Sequence, residues 1–481
     1  MAGSKVRPKP PPEDTAFAAK GPPAPDGRGA PRGPKSPTDR YRRLPSGTHG
    51  LAPEAVERDQ RERLQSALME LIEQKGYQAV RIADLARLAR VSQPTFYSLY
   101  RDKETLFIAA YDEVAAATAR TILATYDREG TKEERLRAAL RAFTELAAAE
   151  PQAMSLFLLG AFGAGPNVLV HRRRRVEQLQ AHIRASRDRT APEPTGDLTV
   201  EFIIGGIREV AAARLRRGQA SKLPTLAEEL ARWAASYPIR PPAELPATER
   251  RSQPRGDEVP SLSERALRAR GRMPSGRSDV PRQVIAKSQR ERIVDATAAI
   301  VAEKGLAKLT IPEIAHRANV SHQTFYEIYA SKSDAFLGAQ KVGMHQALHV
   351  TIDAYQEHED DWPVAVAAGL RALIDYLASE PAHAHLSVVD TFAASPEALE
   401  IREKALAAFA AYLRRGYELA SEVPRVAPEA IAGGIWQVLH GYIASDRIAE
   451  LPAAAPHIIY FALTPFVGPQ RAAATARGDG S

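Results

Sequence analysis

Two stretches of this chain align without a gap at an offset of 229: QRERLQSALMELIEQKGYQAVRIADLARLARVSQPTFYSLYRDKETLF, from Gln60, and QRERIVDATAAIVAEKGLAKLTIPEIAHRANVSHQTFYEIYASKSDAF, from Gln289. The correspondence continues more weakly, with Glu150-Pro151 matching Glu380-Pro381 and Gly205-Gly206-Ile207 matching Gly433-Gly434-Ile435. A unit of about 180 residues has therefore been duplicated whole, which excludes a short solenoid period. The early part of each unit tolerates no insertion, whereas the remainder has drifted in length and sequence.

The ungapped part predicts short helices. Leu64, Ala67, Leu68, Leu71 and Ile72 fall at helical spacing, and Gly76 ends the helix. Ile82, Leu85, Ala86 and Ala89 make a second, short helix; in the other copy Thr310 and Glu313 have the spacing of a capping box at its start. Ser92 and Ser321 are good N-caps for a third helix carrying Thr95, Phe96 and Tyr97 or Thr324, Phe325 and Tyr326. Two short helices joined by a tight turn behind a longer one are a helix-turn-helix layout. The next helix opens at Asp102-Lys103 or Ser331-Lys332. A lysine in a first turn opposes the helix dipole, and a docked anion such as a DNA phosphate would account for it.

The net charge of +7 has to be located before it means anything. Residues 1–58 and 236–288 each hold 11 Lys/Arg against 6 Asp/Glu, and together they carry 20 of the 36 prolines. Both read as disordered, so the basicity is that of solvated segments, which would add salt-sensitive affinity beside a DNA-binding domain. The organisation expected is a basic tail (1–58), a DNA-binding domain (59–112), a helical regulatory domain (113–237), a basic linker (238–287), a second DNA-binding domain (288–341), a second regulatory domain (342–469) and a disordered tail (470–481). With no cysteine, disulfides, thiolate metal sites and cysteine nucleophiles are excluded, which fits a reducing, cytoplasmic setting. No apolar run has signal-peptide or membrane-spanning character. No phosphate loop, GxSxG, HExxH or carboxylate constellation points to an enzyme, and no cofactor is expected.

A helix ending in KG, then IxxxA, VSxxTFYxxYxxKxxxF and a long Ala-rich helical region resemble the TetR family of one-component transcriptional regulators. The resemblance implies an all-α fold in which three helices bind DNA and further helices bind a ligand and dimerise. It also implies double-stranded DNA as partner and a small-molecule effector that releases a repressor. Carried over by position, Gln93, Pro94 and Thr95, and His322, Gln323 and Thr324, open the recognition helices and face base edges. Tyr97, Tyr100 and Lys103, with Tyr326, Tyr329 and Lys332, are expected as phosphate contacts, while Phe96 and Phe325 belong to the core.

One chain with two units departs from the usual homodimer. QPTFYSLY against HQTFYEIY predicts unlike half-sites, and Glu327 either repels phosphate or accepts from cytosine. The glycine pairs Gly205-Gly206 and Gly433-Gly434 lie in apolar helical stretches, where each costs about 1 kcal/mol against Ala, and close helix approach would justify them. Intramolecular pairing of the units is therefore expected, with further dimerisation left open. A linker of this length spans roughly 40 Å, comparable with the ~35 Å between neighbouring half-sites.

Met154, Phe157, Leu158 and Phe162, and Tyr376, Phe392, Tyr412, Trp436, His440 and Tyr442, read as core, with the second unit the better furnished for a ligand. No metal site is expected: His345, His349 and Asp353 share a helix face but read as solvated, and His383 and His385 point to different sides. The alternative function is an architectural or interaction protein with one degenerate unit and non-specific DNA affinity.

Overall fold

The computed structural model describes residues 41, 52–126, 130–160, 164, 167–168, 171–172, 174–178, 181, 198–238, 245, 282–391 and 395–478, and among them it contains helices and turns but no strand. The all-α expectation is met. Most of the N-terminal tail, nearly all of the central linker, Phe162 and Phe392 lie outside the described residues.

The first unit comprises α1 (Pro53–Ala79), α2 (Ile82–Ala89), α3 (Gln93–Leu99), α4 (Lys103–Tyr126), α5 (Lys132–Ala149), α6 (Pro151–Ser155), α7 (Leu198–Arg216) and α8 (Ala227–Ala235). The second comprises α9 (Arg282–Lys304), α10 (Ile311–Arg317), α11 (His322–Ile328), α12 (Lys332–Gln356), α13 (Trp362–Ser379), α14 (Pro381–His385), α15 (Pro396–Leu413), α16 (Ala427–Ile443), α17 (Leu451–Val467) and α18 (Pro469–Arg477). After α6 and after α14 the backbone makes a π turn, Leu156–Gly160 and Leu386–Asp390, at corresponding places.

Three boundaries differ from the expected ones. Helix α1 begins at Pro53 and α9 at Arg282, both inside segments expected to be disordered. The final segment is likewise not a free tail: α18 buries Ala472, Ala473 and Ala476, and Arg371 Nη2 donates to Ala476 O at 2.6 Å. Its small alanine face lets it pack closely, a signal that its low hydrophobicity hid.

In both DNA-binding domains the first helix supplies the floor. Leu64, Ala67 and Leu68 of α1 meet Leu85, Ala89 and Phe96, all fully buried; Ile293, Ala296 and Ile300 do the same against Ile314 and Phe325. Gly76 and Gly305 break the helix with φ of +74° and +79°, a region that glycine enters without strain. The expected capping box is absent: Thr310 makes no side-chain cap, and Glu313 pairs instead with Lys304 across the break. The first copy has the same bridge, Lys75 to Asp84 at 2.6 Å.

A buried arginine ties the helix-turn-helix together. The turn passes through left-handed Arg90 or Asn319, which points carbonyls inward. Arg63 Nη1 donates to Ala89 O and Arg90 O, and Arg292 Nη1 to Ala318 O and Asn319 O, both at 3.0 Å. An Arg292→Met variant is expected to lose about 2 kcal/mol of stability, because two carbonyls lose their donor in a buried turn. A urea midpoint within about 0.2 M of the parent's, for a slope of about 1–3 kcal/mol/M, would show that water replaces the guanidinium.

The regulatory helices of the two halves meet where α7 crosses α16. A Cβ placed on Gly206 would sit 2.5 Å from Ala430 O, and one on Gly434 would sit 2.7 Å from Phe202 O. Likewise Gly205 abuts Gln437 and Gly433 abuts Glu209. Each contact is the counterpart of the other under the repeat, the reciprocal pattern of a two-fold interface. Around the crossing, Phe202 stacks on Phe461 at 4.6 Å and Tyr237 Oη donates to Phe461 O at 2.9 Å. Arg214 makes a bidentate pair with Glu429, at 2.7 and 2.9 Å.

One side of this seam is ionic. Glu209 of α7 accepts from Arg402 Nη2 of α15 at 2.6 Å and from Arg216 Nη2 at 2.9 Å, and Arg402 lies 4.5 Å over the Trp436 ring. Burial pushes the Glu209 carboxyl up, but the two guanidiniums outweigh it and hold the group down at about 2.

Candidate DNA interface and ligand cavity

Each recognition helix is fixed at its start by a serine. Ser92 Oγ accepts from Thr95 N at 3.1 Å and Ser321 Oγ from Thr324 N at 3.0 Å, and each serine hydroxyl also meets the threonine hydroxyl. Phe96 and Phe325 are fully buried, as expected, and anchor one face. The opposite face is open: Gln93, Pro94, His322 and Gln323 are exposed, and Thr95 and Thr324 are half-buried. Tyr97 and Tyr326 are 56% and 58% exposed, unusual for large aromatic side chains. Each stands edge-on to its neighbouring phenylalanine, with ring centres 5.4 and 5.6 Å apart.

The remaining sequence-predicted contacts are placed differently. Tyr100 and Tyr329, expected at phosphates, are only 3% and 7% exposed and pack against Phe96 and Phe325. Burial pushes both phenols up, further from ionisation. Lys103 Nζ donates to Tyr77 O at 2.8 Å and Val80 O at 2.9 Å, and Lys332 Nζ donates to Leu309 O at 3.0 Å. Both ammoniums thus reach back to cap the chain after the first helix. This explains a lysine at a helix start without any anion. Burial lowers the Lys103 pKa, with Lys75 adding to the effect.

The two faces are unlike in more than composition. Gln323 Nε2 donates to Glu327 Oε1 at 3.0 Å, whereas the aligned positions of the first copy are Pro94 and Ser98, which cannot make this bond. The residues that sequence reasoning missed are Arg63 and Arg292; their identity in both copies was the available signal.

A cavity of about 80 Å³ lies in the second regulatory domain between α12, α13, α14, α15 and α16. Leu348, Leu373, Leu406, Phe409, Ile435 and Trp436 make its lining almost wholly apolar, and Tyr376 and His383 also face it. Burial pushes the Tyr376 phenol far up. Of the other residues singled out, Met154 and Leu158 are core, Tyr412 packs edge-on to Tyr355, and Tyr442 lies under Arg447. His349 pairs with Asp353 at 2.7 Å, and His345 stays 6.2 Å from it, ring to ring. Among the described residues no group of three or more His, Asp or Glu is placed to hold a metal, and no helix is long and apolar enough to cross a membrane.

Two capped recognition helices, each presenting an exposed polar face on a buried three-helix core, define a tandem helix-turn-helix protein. Residues 64–110 and 293–338 match the family described as bacterial regulatory proteins, tetR family, so the chain carries two TetR-like units in tandem, each with the DNA-binding domain of that family of transcription regulators. Similar solved structures include the fatty acid degradation regulator FadR from Bacillus halodurans (15% identity, TM-score 0.34), which covers 38% of this chain and 95% of its own. FadR from Bacillus subtilis, solved with stearoyl-CoA, has 16% identity and a TM-score of 0.33, and covers 36% of this chain and 96% of its own. A TetR-like regulator from Rhodococcus sp. RHA1 has 22% identity and a TM-score of 0.29, and covers 38% and 96%. No curated protein has a matching sequence.

Proposed function

We propose that the chain is a small-molecule-responsive repressor whose two units pair within one molecule and read an operator with unlike half-sites. The observation that carries this reading is the reciprocal glycine crossing of α7 and α16, the pattern expected where two like units pair about a two-fold. Gln93, Pro94, Thr95 and Tyr97 would read one half-site, and His322, Gln323, Thr324 and Tyr326 the other. Lys103 and Lys332 would approach phosphates only by leaving their carbonyls. The apolar cavity of the second unit is the effector site in this reading, and the first unit serves DNA binding and pairing.

Selection of bound duplexes from a random library by the full chain at about 150 mM salt, where non-specific phosphate binding is weakened, tests the proposal together with the mass of the complex. One chain on a site with two unlike halves is the expected result. Gln93→Ala should then weaken binding by about 1–3 kcal/mol, and only through one half-site. Gln323→Ala should cost less, since its amide already serves Glu327. Binding without sequence enrichment would instead support an architectural role, the reading favoured by the acidic Glu327 on the second recognition helix.

A further inference from the structure

The polar side chains of the cavity lining are few: Thr351 and Tyr376 hydrogen-bond to backbone carbonyls, whereas His383 and Ser387 each leave an atom unsatisfied. His383 and Ser387 are each only 4% exposed, and His383 Nδ1 and Ser387 Oγ have no hydrogen-bond partner. Unpaired buried polar atoms of this kind cost about 1–3 kcal/mol each. Ser387 sits in the π turn, a local distortion that recurs at functional sites. Both atoms converge on Gly343 of α12: a Cβ there would lie 2.7 Å from Ser387 Oγ and 3.5 Å from His383 Nδ1. The two orphan atoms therefore lie beside one another against Gly343, where any larger residue would crowd Ser387, and one small group can be shared between them.

The other imidazole nitrogen fixes what that group must be. His383 Nε2 lies 3.3 Å from Asp295 Oδ1, a carboxylate that can only accept. In the neutral ring Nε2 then carries the proton, which leaves Nδ1 as an acceptor. A ligand hydroxyl satisfies both orphans at once, donating to His383 Nδ1 and accepting from Ser387 Oγ. Asp295 belongs to α9, the floor helix of the second DNA-binding domain, so the same imidazole touches the cavity and the DNA-reading unit.

We propose that the cavity takes a small apolar molecule bearing one neutral hydroxyl, held by His383 and Ser387, and that the His383–Asp295 contact carries its arrival to the second helix-turn-helix. This rests on the reading of the cavity as an effector site. The volume of about 80 Å³ is below the ~150 Å³ that takes benzene in an engineered apolar cavity. A single ring is seated by rearrangement of Met344, the most adaptable side chain of the lining.

The test is calorimetric titration of the full chain with phenol, toluene and benzoate, which share a ring and differ in the head group. Phenol is expected to bind at least about tenfold more tightly than toluene, and Ser387→Ala should reduce that preference, with His383 Nδ1 still accepting, while leaving toluene binding unchanged. On the duplex that the chain selects from a random library, saturating phenol should weaken binding by about tenfold or more. Asp295→Asn should keep phenol affinity and lose most of that effect. Equal binding of phenol and toluene overturns the head-group assignment while leaving the effector cavity standing, and tighter binding of benzoate replaces the hydroxyl with a carboxylate. Binding of none of the three overturns both. Unchanged release of DNA by Asp295→Asn overturns the relay alone.

Discussion

Glu209→Gln is expected to destabilise the chain by about 3 kcal/mol, the largest effect of any single polar substitution at the seam. The glutamate side chain is 14% exposed and Arg402 is 3% exposed, so removing the negative charge takes a carboxylate away from a guanidinium buried against α7. Arg216 is less affected because it also pairs with Glu403. Replacing Glu209 and Arg402 together with methionine should recover most of the loss, since a buried pair is often worth no more than apolar side chains of similar size. Denaturant midpoints of the two single variants and the double variant measure the coupling; a coupling near zero would mean that the two halves do not meet here in solution.

The same pair predicts an acid response. The Glu209 carboxyl sits at about 2 in the folded chain against an ordinary 4.5. A depressed carboxylate contributes stability that is fully present above its unfolded value and is lost as pH falls through the folded one. The gap between native chain and Glu209→Gln should therefore be constant above about pH 5 and shrink steadily toward pH 2. A gap independent of pH across that window would assign the loss to packing.

Gly434→Ala and Gly206→Ala are expected to be nearly as damaging, at the upper end of the ~1–3 kcal/mol for overpacking. On an isolated helix the change would gain about 1 kcal/mol. At these positions the added methyl meets a backbone carbonyl, Phe202 O or Ala430 O, and a fixed aromatic ring, so α7 and α16 must move apart. Scanning calorimetry should show the midpoint falling for each variant. An increase would mean that the helices do not cross this closely.

The three-helix domains were legible because a repeat displays the same physical solution twice: serine caps, buried phenylalanines and breaking glycines recur at one offset. The exposed readers Gln93, Tyr97, His322 and Tyr326 follow from helical periodicity. Tyr100 and Tyr329 are ambiguous in sequence because a tyrosine carries both an apolar ring and a polar tip, and spacing alone does not say which is used. Thr310 and Glu313 fitted a capping box, but Lys304 competes for the carboxylate from a segment beyond the break. Glu209 with Arg402, and His383 with Asp295, were out of reach because each pair joins helices far apart in the chain.

The reciprocal crossing of α7 and α16 also bears on abundance. A dilute dissociable dimer varies with the square of its subunit concentration, so a twofold fall in that concentration cuts the assembled form about fourfold. A chain that carries both partners loses only about half. Occupancy of its site would then track copy number in direct proportion, and a few molecules per cell would keep a promoter under steady control without a reserve of unpaired subunits.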